Sequence, residues 1–142
     1  MANNYTQFSA ELDLGSFENV KIALATLAEH VAADMEANSC TDNGWINVNA
    51  SAEHESTRPT KLWIHSGDES GDVEATLDFV ATIGKALKLK GLWGFSWADT
   101  CSKLRIDEFG GGAAIVNLAN GRVEFINTYQ WLDKKLRPRK AA

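Results

Sequence analysis

The chain has 142 residues, 44% hydrophobic and 23% charged, with a formal net charge of −5. That is the size and composition of one soluble globular domain with a core of its own. No apolar run approaches the roughly 20 residues of a membrane span. The opening MANNYTQFSAEL has neither the basic nor the apolar region of a signal peptide, so a cytoplasmic protein is expected.

The first predicted element is a strand over 5–14, in which Phe8, Ala10, Leu12 and Leu14 alternate with polar residues. Gly15 breaks it and Ser16 is placed to cap a helix over 16–37, whose stripe is Phe17, Val20, Leu24, Leu27, Val31 and Met35. Asn43-Gly44 then turns the chain into a strand over 45–50, with Ile46, Val48 and Ala50 on one face. A polar loop ending at Pro59 leads to a strand over 61–66, where Leu62 and Ile64 oppose Trp63 and His65. A second helix over 72–90 starts at a capping Asp72 and carries Val73, Leu77, Val80, Gly84 and Leu87 on one face. Lys85, Lys88 and Lys90 suit its negative end, and Gly91 its stop. Strands over 92–97, 113–118 and 122–126 follow, the last two joined by the hairpin dipeptide Asn120-Gly121. A short helix through Tyr129, Leu132 and Leu136 completes the order.

The first six elements read β-α-β-β-α-β, which predicts an α+β domain over 1–136 with a ferredoxin-like core, a mainly antiparallel sheet and two long helices on one face. Residues 137–142 read as a flexible basic tail.

Charge is divided unevenly along the chain. Residues 1–78 hold 14 acids and three bases, a balance of −11, whereas residues 79–142 hold five acids and 11 bases, a balance of +6. Five of those bases lie in the last nine residues, and without them the body has nine bases against 19 acids, or −10. Such a body repels nucleic-acid phosphates and favours a basic protein surface.

Local motifs for chemistry are weak. Gly110-Gly111-Gly112 leads into a strand, whereas phosphate loops lead into a helix N-terminus, and Asp107 and Glu108 precede it. The expectation is therefore a tight turn or bulge with at least one positive φ. DESGDVEATLDF begins like a calcium loop but has Val73 and Phe79 where glycine and glutamate are required. His30, His54 and His65 show no zinc spacing, and neither metal nor cofactor is expected. Cys40 and Cys101 lie in no CxxC motif and read as reduced thiols. Trp63 with His65, and Trp93 with Phe95 and Trp97, form one-sided aromatic patterns that read as core first and as an interface second.

The segments LWIHSGDESGDVEATLDFV and WADTCSKLRIDEFGGGAAIV, within residues 60–133, resemble those of small acidic proteins of bacteriophages, plasmids and other mobile elements. The resemblance carries no catalytic residues. It implies an accessory protein that acts by binding and blocking a host factor, such as a CRISPR effector or a restriction enzyme.

Together these readings predict a non-enzymatic acidic protein that occupies a basic surface of a host protein through Glu53, Glu55, Asp68, Glu69, Asp72 and Glu74. The alternatives are a small enzyme using the 98–109 loop, with Asp99, Cys101, Arg105, Asp107 and Glu108 as its acid/base cluster, and a structural or oligomeric accessory protein. Neither specific nucleic-acid binding nor membrane binding is expected, and homo-oligomerisation is left open.

Overall fold

The computed structural model describes residues 4–36, 44–53, 57–67, 70–106 and 109–137. Within them the chain is α+β, with three α-helices and two antiparallel sheets. The single sheet of the expected ferredoxin-like core is not confirmed.

The division begins in the first predicted strand. It forms β1 (Asn4–Gln7) and β2 (Ser9–Asp13), separated at Phe8. Phe8 turns its ring into the core, 5.0 Å from the ring of Phe95, and its carbonyl accepts a hydrogen bond from Ser66 N. Each half then serves a different sheet. β2 pairs with β4 (Lys61–His65), which pairs with β3 (Asn49–Ala52), giving a three-stranded sheet. β1 pairs with β5 (Leu92–Cys101), followed by β6 (Gly110–Asn117) and β7 (Val123–Asn127), giving a four-stranded sheet.

α1 (Phe17–Glu36) starts where expected, with Asn19 N donating to Ser16 Oγ at 3.1 Å. Its stripe of Val20, Ala23, Leu24, Leu27 and Val31 packs on the core. α2 (Val73–Ala86) is held at its start by Asp72, whose Oδ1 accepts from Ala75 N at 3.0 Å. Eight of its 14 residues are buried, among them Phe79, Val80, Ile83 and Gly84. A helix buried on more than one side belongs at the centre, and α2 touches α1 and also reaches β6. The core joins Leu12, Leu62 and Ile64 of the small sheet to Phe95, Ala114 and Val116 of the large one.

Several boundaries depart from the sequence reading. β5 continues to Cys101 instead of ending at 97, and β6 begins at Gly110 instead of 113, so the glycine run expected as a turn is paired within the sheet. The strand expected over 45–50 begins as a 3-10 turn, Trp45–Asn47. Trp45 is the residue that goes inside, donating from Nε1 to Asp78 Oδ2 at 2.8 Å, while Ile46 is exposed. α2 stops at Ala86 instead of reaching 90, because Lys88 takes φ +55°. Leu89 N then bonds Gly84 O and Lys88 N bonds Lys85 O, the two closing bonds of a Schellman motif. The hairpin loop at Asn120-Gly121 has four residues instead of two, since Asn117 N pairs with Arg122 O across it. Leu118 leaves the ladder to be buried beneath Gly84.

The glycine run forms the start of β6. Gly111 has φ +156°, and a Cβ there would meet the carbonyl oxygen of Trp97. Gly110 lies under the ring of Tyr129, and Gly112 under that of Trp97. α3 (Thr128–Leu136) is capped by Asn127 Oδ1, which accepts from Tyr129 N at 2.8 Å, and none of its residues is buried.

Candidate functional site

In the small sheet, Ala10, Leu12, Ala50, Ala52, Leu62 and Ile64 face the core, so the alternate positions face outward. Register places them in three rows. Ser9, His65 and Asn49 form the first; Glu11, Trp63 and Ser51 the second; Asp13, Lys61 and Glu53 the third. The ladder reaches Glu53 because its N–H bonds Lys61 O. Trp63 is therefore the central residue of an outward sheet face, with three carboxylates among its neighbours.

The indole is held in place. Its Nε1 donates to Ser9 Oγ at 2.7 Å, and its ring stacks on His65 with centroids 3.9 Å apart. Trp63 retains 37% of its accessible surface. Among the described residues the salt bridges are Glu18–Lys21 and Asp133–Arg137. Glu11, Asp13 and Glu53 thus lack a salt-bridge partner, although Lys61 lies between two of them in register. An unpaired surface carboxylate is free to gain a partner without breaking an existing pair.

Of the expected contacts, Glu53, Asp72 and Glu74 are among the described residues. Glu53 follows the end of β3, whereas Glu74, in the first turn of α2, lines a depression with Asn47, before the start of β3. The described residues on either side of β4 leave from its opposite ends. Asp72 is engaged as the helix cap. Glu55, Asp68 and Glu69 lie outside the described residues. Glu11 and Asp13, which the sequence reading left in an ordinary strand, belong to the face through cross-strand register. Their signal was the polar half of the same alternation that identified the strand.

The aromatic residues divide between two settings. Trp93, Phe95 and Trp97 share the inner face of β5 and pack on the core, with Phe95 buried. Trp93 Nε1 donates to Glu11 O at 2.7 Å. Trp63 and His65 instead lie on the outside of the small sheet.

Of the alternative catalytic cluster, Asp99, Cys101 and Arg105 are among the described residues. Asp99 lies in β5, where its Oδ1 accepts from Thr6 Oγ1 at 2.8 Å. It borders a polar depression of about 380 Å³ shared with Ser70, Asp72 and Glu74. Cys101 ends β5 opposite Asn4, and Arg105 is exposed on the following loop. Asp107, Glu108, Cys40 and His54 lie outside the described residues. Neither His30, which stacks on Trp45, nor His65 lines that depression. Among the described residues, no three or more His, Cys, Asp and Glu side chains could hold a metal ion. No described helix is long and apolar enough to cross a membrane.

A larger depression, about 660 Å³, lies between the glycine run, Trp97, Ile126 and the α3 residues Trp131 and Leu132. Its lining is almost wholly apolar, and Thr128 is its hydroxyl-bearing residue. Thr128 Oγ1 accepts from Gly111 N at 3.0 Å, which ties α3 to the glycine run.

No protein-family model, curated protein or solved structure matches this chain.

Proposed function

We propose that the protein is a non-enzymatic binding protein whose outward small-sheet face docks on a basic surface of another protein. The observation that supports this reading is Trp63 at the centre of the outward face, in register with Glu11 and one row from Asp13 and Glu53. Binding energy at protein interfaces concentrates in a central aromatic residue ringed by polar neighbours. An arginine or lysine of the partner would meet a carboxylate beside the exposed part of the indole, gaining charge-assisted contacts. The −11 balance of residues 1–78 adds long-range attraction toward such a partner.

The mobile-element style of the sequence directs the choice of partner toward nucleic-acid-handling proteins of a bacterial host, restriction enzymes and CRISPR effectors first. In this reading the carboxylates take the place of phosphates in a basic groove. We further read the first six elements as a ferredoxin-like core bent at Phe8. Across both sheets the neighbours run β5, then β1 with β2, then β4, then β3, all antiparallel.

The test is retention of a bacterial host's proteins on the immobilised chain, with the double variant Glu11→Gln/Trp63→Ala as the comparison. A basic protein held by the wild type, released by salt and lost with the variant supports the reading. Retention that ignores both salt and the variant overturns it, since screened charges lose their attraction as the Debye length falls to about 3 Å at 1 M.

A further inference from the structure

Among the described residues the large sheet ends in β7, which pairs with β6 on one side only. Asn117 N bonds Arg122 O, so the even-numbered residues of this strand turn their main-chain groups toward β6. By alternation, Val123 and Phe125 turn theirs outward. Their side chains are also uncovered: Phe125 is 61% exposed, and the neighbouring Ile126 is 52% exposed on the opposite face. Ile115 beside them, and Trp131 and Leu132 of α3, are about half exposed. An unprotected apolar edge of this kind is what soluble proteins avoid unless something pairs with it.

We propose that the edge is occupied by a second copy of this chain, β7 against β7 in antiparallel pairing about a two-fold axis beside Phe125. The strand is self-complementary in that register. Each Phe125 exchanges both main-chain hydrogen bonds with its copy, and Val123 of one protomer meets Asn127 of the other. The two large sheets become one of eight strands. An isologous contact of this type closes on itself and forms no filament.

Area and charge favour a copy as the occupant. Val123 and Phe125 on one face of the edge, and Ile115 and Ile126 on the other, leave apolar side chains in water on both sides of the strand. A paired copy would continue both faces across the seam, toward the about 800 Å² that a standard interface takes from each partner. Residues 118–132 hold one cation, Arg122, and one anion, Glu124, so two copies approach through a locally neutral surface. The acidic residues of the body lie farther off and are screened beyond about 8 Å at physiological salt.

The test is sedimentation equilibrium across a wide range of concentration on wild type and Phe125→Lys, with circular dichroism to establish that both are folded. Wild type should reach a dimer, and Phe125→Lys should remain a monomer with an unchanged spectrum. A second test uses Phe125→Cys in a Cys40→Ser/Cys101→Ser background. Copies paired in this register hold those Cα atoms about 5.5 Å apart, within reach of a disulfide. Mild oxidation should cross-link Phe125→Cys but not Ile115→Cys, whose copies lie three strand spacings, about 14 Å, apart. A wild type that stays monomeric at every concentration, a dimer that survives Phe125→Lys, or equal cross-linking of both cysteine variants overturns the proposal.

Discussion

Gly84→Ala should destabilise this protein, although the same substitution inside a helix ordinarily stabilises by about 1 kcal/mol. Gly84 is buried in α2 where the helix crosses the end of β6. A Cβ at this position would lie 2.7 Å from the carbonyl oxygen of Leu118 and 3.2 Å from its Cα. Ordinary contact begins at 3.4 Å, so helix and loop must separate by about 0.7 Å. Both groups are main chain and cannot rotate aside. Leu118 is further fixed by burial and by its N–H bond to Gly91 O at 3.0 Å. Overpacking a close contact costs about 1–3 kcal/mol, which offsets or exceeds the propensity gain. We expect a net loss of about 1 kcal/mol or more, and a midpoint lower by about 3 °C per kcal/mol for a domain of this length. Urea titration followed by tryptophan fluorescence measures it, with the exposed Lys85→Ala as a control within about 0.5 kcal/mol of wild type. A Gly84→Ala variant more stable than wild type would show that α2 and Leu118 are not in contact, and the central packing described here would be wrong.

Other substitutions test single features by the same titration. Lys88→Gly should stabilise by about 0.5–1 kcal/mol, because Lys88 holds φ +55° at the end of α2, a conformation that costs glycine nothing; no gain would mean that the Schellman ending is misplaced. Gly111→Ala should cost about 2 kcal/mol, from φ +156° and a Cβ driven into the Trp97 carbonyl; a neutral result would remove the backbone explanation of the glycine run. Asp72→Ala should cost about 1 kcal/mol while Asp72→Asn costs little, since either side chain can accept from Ala75 N; equal losses from both would point to the charge of Asp72 instead of its cap.

Most elements were legible because local rules and tertiary burial agreed. The stripe from Phe17 to Val31, the cap at Asp72 and the alternation Ala10, Leu12 specify their elements within a few residues. The departures arose where a distant partner overruled the pattern. Trp45 reads as the polar side of an alternating strand, yet an acceptor 33 positions away, Asp78, and the face of His30 draw it inside and wind the segment into a 3-10 turn. Phe8 fits its strand's inward set, and the bend there depends on Phe95 and Ser66, which its own neighbourhood does not announce. Gly91 reads as the stop of α2 and does hold φ +95°, but Lys88 reaches the left-handed region first. The candidate face was the least legible part. Glu11, Trp63 and Glu53 come together only through the register of three strands, and register depends on which residues the core accepts.

The division of the first strand between two sheets also governs when the fold can form. Thr6 bonds Asp99 across 93 residues, so β1 has no partner until β5 has left the ribosome. At synthesis rates of about 5–20 residues per second, that is a wait of about 5–20 s. β2 and α1 can meanwhile join β4 and the start of α2, a partial core with one flank open. Contacts so distant in sequence slow folding, because loop closure precedes any gain from pairing. A chain interrupted before Leu92 would leave β1 unpaired and α2 without the large-sheet strand β6 that it meets, a species prone to aggregate.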